Sequence, residues 1–120
     1  MKSAKPKTYP FVVRPRVYLG ANFYIGHGKV DLLRLVNESH SISAAARLLE
    51  IPYKRAWLMI DSLNKGFGRP VIDTASGGKG GGGAALTPLG KALIAHYDEL
   101  EQRIQAATME DLASFRALLD

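Results

Sequence analysis

Ser41-Ile42-Ser43-Ala44-Ala45-Ala46-Arg47-Leu48-Leu49-Glu50-Ile51-Pro52-Tyr53-Lys54-Arg55-Ala56-Trp57 holds two helix starts in close succession. Ser43 stands directly ahead of Ala44–Glu50, and a serine hydroxyl in that place accepts a hydrogen bond from the free amides of a first turn. The spacing predicts a helix of about two turns, with small alanines that let another helix approach closely. Pro52 then suits the start of a second helix, where its missing amide is not needed. Ala56, Ile60 and Leu63 recur at i, i+4 and i+7 and predict the inward face of a helix from Tyr53 to about Lys65. Lys54, Arg55, Asp61, Ser62 and Lys65 fall mostly outside that face.

Working outward, Val30, Leu33, Leu35 and Val36 predict a helix over Lys29–Glu38, broken by Ser39-His40-Ser41. Gly20–Gly28 is glycine-rich and predicts a turn region with a short extended piece at Phe23-Tyr24-Ile25. Phe11–Leu19 is β-prone, but Pro15 cannot donate to a ladder and limits it to an edge strand. Residues 1–10 read as a flexible basic arm. Downstream, Gly66–Pro70 ends the helix, and Val71–Thr74 and Ala84–Thr87 predict two strands joined by a glycine-rich loop. Thr87-Pro88 supplies an N-cap and a proline at the first helical position. A long helix is expected from Pro88 to about Ala107, with Leu89, Leu93, Tyr97, Leu100, Ile104 and Ala107 as an apolar seam. Thr108 and Asp111 predict one more helix, Met109–Leu119, with Leu112, Phe115 and Leu119 on its apolar face.

At 120 residues the chain has room for one modest core, which argues against a multidomain enzyme. The absence of Cys removes thiol nucleophiles, disulfides and thiolate metal sites, and is compatible with a cytoplasmic location. His27, His40 and His96 lack ligand-like pairing, so no metal site or cofactor is expected, and no acid–base pair suggests catalysis. No apolar run approaches membrane-spanning length and no signal peptide is evident. The net charge of +5 hides a partition: residues 1–97 carry 14 basic and 5 acidic side chains, whereas residues 98–120 carry 2 basic and 6 acidic. The basic body would attract a polyanion such as nucleic acid or an anionic membrane surface.

Two short helices joined by a tight turn, with cations opening the second, have the layout of a helix-turn-helix, followed by a hairpin placed as a wing. The expected architecture is mainly α with a small β hairpin. It comprises the arm (1–10), a winged helix-turn-helix (11–87) and a C-terminal helical dimerisation segment (88–120). Ser41-Ile42-Ser43-Ala44-Ala45-Ala46, Tyr53-Lys54-Arg55-Ala56-Trp57 and Thr74-Ala75-Ser76-Gly77-Gly78-Lys79-Gly80-Gly81-Gly82-Gly83-Ala84-Ala85-Leu86-Thr87 resemble the winged helix-turn-helix of ModE-family molybdate-responsive transcriptional regulators. That domain is itself similar to the N-terminal domain of LysR-type regulators. The resemblance spans roughly Gly28–Tyr97 and implies a homodimer that binds operator DNA. In the family, oxyanion-binding domains follow the DNA-binding part. The stretch from Thr108 to Asp120 is too short for them, so direct molybdate binding is not expected here. The chain also has Pro52 where family members tend to have Ser.

The expected DNA-binding set is Ser43, Tyr53, Lys54, Arg55, Met59, Ser62, Thr74, Ser76, Gly77, Gly78, Lys79 and Gly80. Arg55 is the foremost base-reading candidate because Arg holds guanine O6 and N7 bidentately. Lys54 suits a phosphate, and Tyr53 suits either DNA contact or packing. Trp57 is expected in or at the edge of the core. The glycines would let the loop backbone approach a phosphate. A nucleotide-binding loop is disfavoured because Gly80 follows Lys79 where a Ser or Thr is required. The expected dimer interface is Leu93, Tyr97, Leu100, Ile104 and Ala107; the alternative is that this seam closes the intramolecular core, or that its first half does so while its second half meets a partner. The alternative function is a protein-interaction module on a winged-helix scaffold that does not bind DNA.

Overall fold

Two helix-ending turns in the left-handed conformation set the path of the helical core. His40 (φ 57°) ends helix α1 (His27–Ser39), and Glu50 (φ 61°) ends helix α2 (Ile42–Leu49). Helix α3 (Tyr53–Phe67) follows immediately and stops at Gly68, whose φ of 75° favours glycine. The computed structural model describes residues 11–75 and 83–119. Strands β1 (Val17–Gly20) and β2 (Phe23–Ile25) precede α1, and β3 (Ile72–Thr74) and β4 (Ala84–Leu86) follow α3. Helices α4 (Pro88–Ala107) and α5 (Met109–Ala117) complete the order.

Each strand pair forms its own antiparallel hairpin. The predicted edge strand is therefore shorter than expected and pairs with the Phe23–Ile25 piece, Tyr18 opposite Tyr24. In the wing, Ile72 faces Leu86 and Thr74 faces Ala84. The expected mainly helical architecture is correct, with two hairpins in place of one. Among the described residues no helix is long and apolar enough to cross a membrane.

The core runs along α1, where Val30, Leu32, Leu33 and Val36 are fully buried, and continues through Ala45, Ala56, Ile60, Leu63 and Val71. Leu32 lies outside the predicted stripe of α1 and is buried because α1 packs against α2, α4 and β4 and so buries more than one narrow face. Leu93 and Tyr97 complete the core with 8% and 3% exposure. Their burial agrees with the alternative reading of the seam, in which its first half serves the core. The first half of the α4 seam closes the intramolecular core, leaving Leu100 and Ile104 half-buried and Ala107 exposed.

α4 is held at three places. Thr87 caps it, accepting from the Gly90 amide at 3.1 Å while its hydroxyl donates to the Pro70 carbonyl at 2.9 Å. Arg34 on α1 pairs with Asp98 and, at 3.7 Å, with Glu101 on α4, as well as with Asp31 at 2.9 Å. Tyr97 donates its hydroxyl proton to the Pro15 carbonyl at 2.6 Å. A Cβ on Gly90 would overlap the Val71 carbonyl oxygen.

Gly90→Ala should lose about 1–3 kcal/mol despite its gain in helix propensity, because the obstructing atom is backbone; denaturant unfolding measures it. Burial, with Glu101 and Asp31 nearby, pushes the Tyr97 phenol up to about 12. The unfolded chain then releases this proton first, near pH 10, so the contribution of Tyr97 is complete below pH 10 and is lost as pH rises toward 12. Wild type should lose about 1–2 kcal/mol more than Tyr97→Phe across that window.

Candidate nucleic-acid interface

The junction of α2 and α3 is close because small residues face each other: Ala45 and Ala56 are fully buried and Ala46 is nearly so. Between them the Ile51 amide donates to the Ala46 carbonyl at 3.0 Å, and the turn passes through Glu50, Ile51 and Pro52. The cap of α2 differs from expectation. Ser41, not Ser43, is the N-cap, its hydroxyl accepting from the Ala44 amide at 3.1 Å. The helix begins two residues earlier than predicted and so takes in Ile42, whose side chain is buried in the core. Ser43 is thereby exposed in the first turn, its Oγ 3.3 Å from Ser41 Oγ.

The wing root is tied to the same place. The Ala84 amide donates to the His40 carbonyl at 3.0 Å, and the Val71 amide donates to Asn64 Oδ1 of α3 at 2.8 Å. As a result Ser41, Ser43, Tyr53, Trp57, Thr74 and Gly83 line one open cleft of about 250 Å³. The N-terminal turns of α3 and the wing root therefore open onto one surface. Tyr53 is exposed there, Lys54 and Arg55 are exposed beside it on the first turn of α3, and Arg47 adds an exposed cation on α2. Ser76, Gly77, Gly78, Lys79 and Gly80 lie outside the described residues.

Helical geometry separates the two sides of α3. At 3.6 residues per turn Arg55 lies about 160° round the helix from both Tyr53 and Trp57. The cleft edge thus carries the aromatics, and the opposite flank carries Arg55. Trp57 is 37% exposed and meets Tyr53 edge-on with ring centroids 6.4 Å apart, so of the two places expected for it the core interior is ruled out. Leu58 is 61% exposed. Its position two residues from both Ala56 and Ile60 already marks it as outward, a signal the sequence contained.

Met59 and Ser62 do not lie on an open outer face. Met59 is half-buried against the core. Ser62 is half-buried and accepts a hydrogen bond from Lys29 Nζ at 3.1 Å. Lys29 also donates to the Tyr24 carbonyl at 2.9 Å and sits 4.2 Å from the Tyr24 ring centroid. Burial, helped by the charge of Arg16, moves the Lys29 ammonium below its usual range. These contacts join the β1–β2 hairpin to the back of α3, a role for Lys29 that its place at a helix start did not reveal.

Comparisons with known proteins relate the sequence of this region to a family. The chain is 42% identical over 96 residues to a molybdenum-pterin-binding protein, MopB, of Rhodobacter capsulatus, covering 80% of this chain and 34% of that protein. It is 43% identical over 79 residues to the DNA-binding transcriptional dual regulator ModE of Escherichia coli, 66% of this chain and 30% of the relative. The transcriptional regulator ModE of Haemophilus influenzae is 38% identical over 79 residues, 66% of this chain and 31% of the relative. The chain thus spans about a third of the length of the curated relatives it matches. These relatives carry the names of regulators and binding proteins, not of enzymes. A solved LysR family transcriptional regulator superposes with a TM-score of 0.55 at 16% identity, covering 72% of this chain and 28% of that one, and shows the shared fold. No family model matches the chain.

The two serines give a direct test of the local structure. Ser41→Ala should cost about 1 kcal/mol in chemical denaturation, whereas Ser43→Ala should change stability by less than about 0.5 kcal/mol. Equal losses would contradict the cap assignment. Over the matched stretch, this chain belongs to the ModE-like winged helix-turn-helix family.

Proposed function

We propose that the chain is a sequence-specific transcriptional regulator that binds double-stranded DNA as a homodimer. The observation that carries this is the opening of the α3 N-terminus and the wing root onto one surface, with Lys54 and Arg55 exposed on the first turn of α3 and Arg47 exposed on α2. A helix of this kind fits the major groove, while the flanking hairpin reaches the backbone. Lys54 is assigned to a phosphate, and Arg55 reads a base from the flank of α3 away from the cleft. Thr74 and the Ser76–Gly80 segment are assigned to the backbone beside the wing. Met59 and Ser62 are assigned a supporting role behind α3. The protein is assigned to the cytoplasm, and no cofactor or molybdate-binding role is assigned to these residues.

The dimer is assigned to the far end of the molecule. Leu100, Ile104 and Ala107 continue the α4 seam beyond the core, and Met109, Phe115, Leu118 and Leu119 are 62–79% exposed. Pairing of these surfaces across a two-fold axis would place two α3 helices about 34 Å apart on a pseudo-palindrome.

Titration of labelled mixed-sequence duplex, combined with sedimentation, tests both parts. Affinity should fall more than tenfold between about 50 and 200 mM salt. Lys54→Ala should weaken binding about three- to tenfold on all sequences and reduce the salt slope by about one. A flat, null titration would favour the protein-interaction module. A chain that stays monomeric at micromolar concentration with and without DNA would remove the two-fold arrangement.

A further inference from the structure

Tyr53 and Trp57 are large aromatics that the fold leaves in solvent. They are 53% and 37% exposed, and neither belongs to the cluster of buried core residues. They stand one turn apart on the edge of α3 that faces the wing root. The buried core therefore does not account for the exposed part of either ring. Their neighbours are Lys54, Ser41, Ser43 and Thr74, with Arg47 exposed on α2: a polar, cationic rim around an apolar edge. That charge suits an anionic partner. On the floor of the major groove the one apolar group is the thymine methyl, which cytosine and uracil lack.

We propose that Trp57, supported edge-on by Tyr53, is a specificity-determining residue that contacts thymine methyl groups in the major groove, an assignment that rests on the DNA-binding function above. The cations hold the duplex, and the aromatic edge favours sites with thymine beneath it. Removal of one buried methyl from such a contact should weaken binding about three- to fivefold.

The test uses the full chain and duplexes selected from a random pool. Each thymine of a selected site is replaced in turn by uracil, which keeps the base pair and loses only the methyl. Wild type should lose about three- to fivefold in affinity at one or more thymines of each half-site. Trp57→Ala should bind thymine and uracil duplexes alike, and Trp57→Phe should keep part of the difference. Trp57 is the sole tryptophan, so its emission should change more on binding the thymine duplex than the uracil duplex. Because Trp57 lies outside the core, the melting temperature of Trp57→Ala should stay within a few degrees of wild type; should this variant fail to fold, the uracil series on wild type and Trp57→Phe still decide the matter. Tolerance of uracil at every position, or a thymine preference that survives Trp57→Ala, overturns the proposal. Selected sites without methyl dependence defeat this assignment alone, whereas failure to select any site defeats the DNA-binding function as well.

Discussion

The wing keeps its place because four chain segments share one set of hydrogen bonds around Val71 and Thr87. The Val71 amide donates to the side chain of Asn64 near the end of α3, and the Val71 carbonyl accepts from the Thr87 amide at 3.0 Å. Thr87 in turn bonds Pro70 through its hydroxyl and caps α4 through Gly90. Both ends of the hairpin and the flanking ends of α3 and α4 are thereby fixed against one another, with Val71 fully buried at the centre. Thr87 is 8% exposed, and a buried hydroxyl of this kind is tolerated because its donor and acceptor capacities are both used. Without this knot the cleft beside Trp57 would have no fixed wall.

Much of the architecture was legible in the sequence because it rests on short-range rules. Thr87-Pro88 announces the start of α4 through capping chemistry alone, and Ala56, Ile60 and Leu63 identify the inward face of α3 through helical period. The misjudged features depend on neighbours distant in sequence. Ser41 and Ser43 are both acceptable caps, and the choice of Ser41 goes with burial of Ile42. Leu93 and Tyr97 have the spacing of an interhelical seam whether the partner is another subunit or α1 of the same chain. Met59 and Ser62 look outward until the β1–β2 hairpin and Lys29 are placed behind α3. The Arg55 side of α3 and the Trp57 side could be separated on a helical wheel, but only the position of the wing shows which of them borders the cleft.

The charge partition acquires a structural meaning at Arg34. Two of the acidic residues beyond position 97, Asp98 and Glu101, turn inward to this guanidinium, and Glu99 pairs along α4 with Arg103 at 2.9 Å. Part of the acidic end thus neutralises its own molecule, and the cationic surface around α2 and α3 is left to act outward. Exposed ion pairs of this type contribute little to stability; their effect here is on the direction of the field.

The bond from Tyr97 to Pro15 links positions 82 residues apart. During synthesis from the N-terminus, everything from β1 to the wing emerges before Tyr97 exists to grip the proximal segment. Loop-closure entropy rises only logarithmically with length, so the delay costs little in final stability. Its consequence is one of timing: until the middle of α4 has left the ribosome, the apolar patch it covers stays open to water.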